Sequence, residues 1–164
     1  MAITKTKKGE IIDNLKNNVI KSESVVFVNF HRLPVKEASE IRRSLKKEEV
    51  GYVVAKKTLL KKVLAESGVK GEIPELAGEL ATAYLTKEGD VLAPARAVYG
   101  FQKKMEGKIS ILGGIFGGEY KNKDEMISIA SIPSLNVLRG MFVNIINSPI
   151  QRLAVVLGQI AERK

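Results

Sequence analysis

The chain predicts an α/β domain followed by C-terminal helices, and three observations carry that class. Short apolar runs of strand length recur at residues 25–28, 52–55, 80–85 and 109–112. Segments with apolar residues at three- and four-residue spacing lie between them. The last segment, from Met126 to Ala161, is apolar and carries only Arg139 and Arg152 as charges.

Ile11, Ile12, Leu15 and Val19 give a helix over residues 7–21, with Thr6 as its N-cap. Val25-Val26-Phe27-Val28 reads as a buried strand. Pro34 sits where a helix begins, and Ala38, Ile41 and Leu45 mark its inner face. A strand at 52–55 and a helix at 58–66 follow, then a loop over 68–78. Residues 80–85 make the third strand, Val91, Ala95, Val98 and Met105 a helical stripe, 109–112 the fourth strand, and 124–131 a short helix. Four strands interleaved with helices indicate a domain of about 130 residues, with the relative directions of the strands left open.

Leu135, Leu138, Phe142 and Ile145 define one amphipathic helix beyond that domain. Asn147-Ser148-Pro149 predicts a stop and a restart, with Ser148 as N-cap and Pro149 in the first helical position. Ile150, Leu153, Val156, Leu157 and Ile160 form the face of a second helix, about 24 Å long at about 1.5 Å per residue. This divides the chain into 1–132, the α/β domain; 133–147, a connecting helix packed on it; and 148–164, a helix that packs on the domain or docks a partner. Its polar face has few cations and no tryptophan anchor, which disfavours a membrane-surface helix.

The net charge of +9 is lopsided. Residues 1–62 hold 15 Lys/Arg against 7 Asp/Glu, and residues 63–164 hold 12 against 11. A binding face for a polyanion, with nucleic acid the commonest, explains that asymmetry. Cysteine is absent, which excludes disulfides and thiolate metal sites. The basic start MAITKTKKGE has no apolar run behind it, and the uncharged stretch 140–151 is short and polar for a bilayer span. A soluble intracellular protein is the expectation.

The sharpest feature is GYVVAKKTLLKK at 51–62. A buried strand runs into Lys56-Lys57-Thr58, and Lys61 and Lys62 follow one turn into a helix. Four ammonium groups and a hydroxyl so gathered repel one another unless an anion lies between them, although an ordinary solvated helix face carries such charges too. Lys5, Lys7, Lys8 and Arg32 are the further candidates. Arg42, Arg43, Lys46 and Lys47 interleave with Glu40, Glu48 and Glu49, so helical ion pairing is expected there.

Gly113-Gly114-Ile115-Phe116-Gly117-Gly118 has the glycine spacing of a phosphate loop, but Glu119 and Tyr120 stand where lysine and serine or threonine belong. A bulge or tight turn explains the glycines better than a nucleotide-handling enzyme does. His31 is the only histidine and has no nucleophile motif or ligand cluster beside it, so no metal, cofactor or small-molecule substrate is predicted. Aromatic content of 5% argues against a base-stacking platform and for recognition of folded RNA through phosphates and shape.

These residues resemble large-subunit ribosomal protein ten of the bacterial type, the base of the ribosomal stalk, over essentially the whole chain. The family's Lys-Asn-Thr-Leu motif is similar to Lys56-Lys57-Thr58-Leu59, and its aromatic-basic-Gly-Leu segment to Phe30-His31-Arg32-Leu33. Ile41-Arg42 with Leu45, Gly113-Gly114, Ala130 to Pro133 and Ser148-Pro149-Ile150-Gln151 follow in the family's order. The resemblance implies a two-layer α/β plait with a mixed sheet, and a non-enzymatic structural role in the cytoplasmic ribosome. It implies large-subunit rRNA bound by the N-terminal domain next to ribosomal protein eleven, and acidic stalk protein dimers on the last helix, which help recruit translational GTPases. The rRNA contacts would be Lys5, Lys7, Lys8, Arg32, Lys56, Lys57, Thr58, Lys61 and Lys62; the dimer contacts Ile150, Leu153, Val156, Leu157 and Ile160. A free-standing RNA-binding translational regulator is the alternative. Two positions depart from the family: Lys57 replaces its asparagine and Arg32 its glycine, so each gains a cation while losing an amide or backbone freedom.

Overall fold

The computed structural model describes residues 5–20, 22–66, 68–71, 73–86, 89–105 and 107–162, with the side chains of residues 5–8 and of residue 20 outside that set. The chain divides into two compact units, Met1–Ile132 and Pro133–Lys164.

In the first unit, helix α1 (Lys5–Leu15) runs into a π-helical segment (Lys16–Ile20). Strand β1 (Ser24–Phe30), helix α2 (Val35–Lys47), strand β2 (Val50–Val54), helix α3 (Lys57–Glu66) and strand β3 (Glu79–Leu85) follow. Helix α4 (Ala93–Lys104), strand β4 (Ile109–Phe116), strand β5 (Glu119–Asn122) and helix α5 (Lys123–Ala130) complete it. The α/β class holds, and so does each element expected from periodicity up to Ser131. The strand β5 is additional.

The sheet order is β2-β3-β1-β4-β5. Every strand pair in it is antiparallel. The mixed sheet implied by the resemblance is therefore corrected. The crossover helices α2 and α4 do connect strands that run parallel, β1 with β2 and β3 with β4. In each case an antiparallel strand lies between the two, the split arrangement of a plait. Parallel pairing among the described residues is limited to the isolated bridge between Lys70 and Glu119.

The sheet is covered on both faces, one layer more than the two expected. Alternation along β1 sets this up, because successive side chains point to opposite faces. Val26 and Val28 pack with Ile41 and Leu45 of α2, Ala95 and Val98 of α4 and Met126 of α5. Val25 and Phe27 pack with Leu15, Val19 and with Leu59, Leu60, Val63 and Leu64 of α3. Each fully buried side chain of this size contributes about 1.5–3 kcal/mol relative to exposure.

The glycines of 113–118 are structural. The register between β1 and β4 shifts after Phe27, which pairs with Gly113 while Val28 pairs with Ile111. Gly117 and Gly118, with φ of 61° and 79°, form the tight turn into β5.

The second unit is a single helix, α6 (Leu135–Glu162), of 28 residues, about 42 Å long at about 1.5 Å per residue. The expected stop at Asn147-Ser148-Pro149 is corrected: the helix continues through Pro149. A proline inside a helix removes the N–H that would bond the carbonyl four residues earlier, here Ile145. The Ser148 hydroxyl donates to that carbonyl at 2.9 Å instead. The apolar residues of α6 are exposed, with Phe142 at 65% and Ile150 at 68%. By length and composition alone, α6 is the one helix among the described residues long and apolar enough to cross a membrane.

Candidate nucleic-acid interface

Because β1 and β2 run in the same direction, the loops that leave them emerge at one edge of the sheet. Phe30 pairs with Glu79 and Val54 with Ala81, so the start of β3 lies at that edge too. Here the Lys56-Lys57-Thr58 turn sits. The Lys56 carbonyl accepts from the N–H groups of Leu59 and Leu60 at 3.0 and 3.1 Å and begins α3. The Ala55 N–H donates to the Leu80 carbonyl at 3.3 Å and fixes the strand end.

Burial of Leu59, Leu60, Val63 and Leu64 decides where the lysines go. Lys56, Thr58, Lys61 and Lys62 are exposed, and Lys57 is half-buried. None of the four lysines forms an ion pair among the described residues. Lys56, Lys57 and Thr58 line a shallow cavity of about 530 Å³ together with Phe30, Val54, Gly78 and Glu79. The N-terminus of α3, with its unbonded N–H groups and positive dipole end, lies at the same place and favours an anion.

Lys61 and Lys62 stand one turn further along α3 and do not line this cavity. Arg32 lies in the loop after β1, exposed, with φ of 48°. That loop is pinned: the His31 N–H donates to the Lys108 carbonyl at 2.8 Å, and the Lys108 ammonium pairs with both Glu37 oxygens at 2.8 and 2.9 Å. The side chains of Lys5, Lys7 and Lys8 lie outside the described residues.

Sequence reasoning missed Phe30, Gly78 and Glu79 as cavity walls. Phe30 lies far from Gly78 and Glu79 in the chain, and only the register of β1 against β3 brings it to them. The ion pairing expected along α2 is also corrected. Arg42, Arg43, Lys46 and Lys47 form no ion pair among the described residues, so their charge faces solvent. Helical spacing permits such pairs, but long exposed side chains gain little by forming them. Among the described residues, no group of three or more His, Asp or Glu side chains is placed to hold a metal ion.

A sequence profile of ribosomal protein L10 matches residues 3–103. The large ribosomal subunit protein uL10 of Staphylococcus carnosus is 32% identical over 155 residues, covering 94% of this chain and 89% of that protein. That of Fusobacterium nucleatum is 33% identical over 165 residues, covering 98% and 96%. That of Shouchella clausii is 30% identical over 158 residues, covering 96% and 93%. This chain belongs to the ribosomal protein L10 family.

Membership makes the chain a large-subunit ribosomal protein, a structural component rather than an enzyme. The backbone at Arg32 is left-handed, where glycine is least strained, which is consistent with the glycine that the sequence resemblance leads one to expect there. Lys57, half-buried, is one of the residues that line the cavity.

Proposed function

We propose that the first unit binds large-subunit rRNA at the stalk base, beside ribosomal protein eleven, and that α6 anchors acidic stalk protein dimers in the cytoplasmic ribosome. The observation that carries the RNA reading is the set of four lysines around the N-terminus of α3 that form no ion pair among the described residues. Lys56, Lys57, Lys61, Lys62 and Arg32, with Lys5, Lys7 and Lys8, neutralise phosphates, and Thr58 donates a hydrogen bond to one. Recognition through phosphates, 2′-hydroxyls and shape suits an RNA helix, whose deep groove excludes side chains.

For α6, the support is its exposed apolar stripe. Ile150, Leu153, Val156, Leu157 and Ile160 recur at helical spacing, and all are at least half exposed. Facing helices of small dimers bury such a stripe. The dimers in turn help to recruit translational GTPases.

The lysines are tested by the Lys56→Ala/Lys57→Ala double variant. Its affinity for a large-subunit rRNA fragment falls, and the slope of log affinity against log salt shrinks by up to about 0.9 for each phosphate no longer neutralised. An unchanged slope overturns the assignment. Co-sedimentation of the wild-type chain with large subunits in moderate salt separates a ribosomal component from a free-standing RNA-binding regulator, which stays in the supernatant.

A further inference from the structure

The opposite end of β2 carries a second cavity, of about 490 Å³, in the first unit. Arg42 and Lys46 of α2, Glu49 of the following turn, Gly51 and Tyr52 of β2 and Thr86 beyond β3 line it. Arg42 and Lys46 are four residues apart, so one helix face carries both cations. Neither forms an ion pair among the described residues. Tyr52 is half-buried beside them: burial raises its pKa, and the Arg42 charge partly opposes that rise. Its neutral hydroxyl has no hydrogen-bond partner among the described residues. The Thr86 N–H donates to the Glu49 carbonyl at 3.1 Å, which fixes Thr86 at the cavity wall.

We infer that this cavity holds one unstacked nucleotide of an RNA strand, with its phosphate on Arg42 and Lys46 and its base against Tyr52. The inference rests on the RNA-binding reading and adds an RNA contact at the far end of β2. Its volume lies in the range of small-ligand sites. Two unpaired cations one turn apart favour a phosphate, and an aromatic ring beside them favours a planar base. An acidic peptide side chain satisfies the cations but leaves the ring wall uncovered. Sparse aromatics exclude a stacking platform for a long single strand, but a single base needs a single ring.

The test is an amide NMR titration of the full chain with the four nucleoside 5′-monophosphates, with inorganic phosphate and with a short polyglutamate peptide. At millimolar concentration, at least one nucleotide moves the signals of Gly51, Tyr52 and Thr86 and binds about tenfold tighter than inorganic phosphate. Arg42→Ala and Lys46→Ala, both on the exposed side of α2, each weaken it about tenfold. Tyr52→Phe, which keeps the ring, retains binding, and so does the Lys56→Ala/Lys57→Ala variant. Silence at those three amides overturns the inference, and so does an equal response to phosphate or to the peptide. A silent cavity with a normal lysine-dependent salt slope discards this nucleotide site alone. An unchanged salt slope in the lysine double variant instead counts against the function proposed above.

Discussion

Arg32 combines a strained backbone with an exposed charge. Its φ of 48° lies in the left-handed region, where a side chain crowds the following carbonyl. Arg32→Gly relieves this and stabilises the fold by about 0.5–1 kcal/mol, read as a higher midpoint in thermal unfolding. The same variant lowers the salt slope of RNA binding by up to about 0.9, the share of one neutralised phosphate. Stability and affinity therefore move in opposite directions at this position. Gly114 carries the reverse constraint. A Cβ there meets the Val25 carbonyl and sits 2.9 Å from Met126 Cε, so Gly114→Ala destabilises by about 1–3 kcal/mol in a denaturant melt. The Lys56-Lys57-Thr58 turn was legible from residue order, since a buried strand followed by a buried helix face leaves its polar residues outside. The angle at Arg32 was not, because side-chain type does not fix a backbone torsion. Its glycine preference came only through the family motif.

At the scale of elements, α6 departs most from expectation. Ser-Pro reads as a helix start because proline lacks an N–H and suits the first turn. The sequence pattern does not show that the Ser148 hydroxyl reaches back to the Ile145 carbonyl and lets the helix run on. Pro149→Ala restores the missing backbone bond and adds up to about 3 kcal/mol of local helix stability. Slower hydrogen exchange at Ile150 and its neighbours reports it. Ser148→Ala leaves the carbonyl to solvent and speeds exchange over the same residues. The strand β5 was missed for a different reason. Glu-Tyr-Lys-Asn lacks β-branched residues, and only the Gly117-Gly118 turn gave a signal for it. It is held from both sides, by β4 and by the Tyr120 N–H donating to the Lys70 carbonyl at 3.0 Å.

At the scale of the whole molecule, the units Met1–Ile132 and Pro133–Lys164 separate the two proposed tasks. Deletion after Ser148 abolishes binding of stalk dimers and leaves RNA affinity and the thermal midpoint of the first unit unchanged. A truncated chain that melts early instead shows that the removed residues belong to the core. The alternation of elements made the α/β class legible, because strand and helix periods differ. Strand directions and layer count were not legible, since both depend on which strand is inserted between which.

That insertion also sets an order in time. The central strand β1 is complete at Phe30, yet its first neighbour, β3, begins only at Glu79. At about 5–20 residues per second, the ribosome takes roughly 2–10 s to make the residues between. Through that interval the nascent segment Ser24–Phe30 has no partner in the finished sheet to pair with, and it is the kind of apolar strand that sticks to others. The strand at the centre of the finished sheet is thus made first and paired last, once β3 and then β4 have been synthesised.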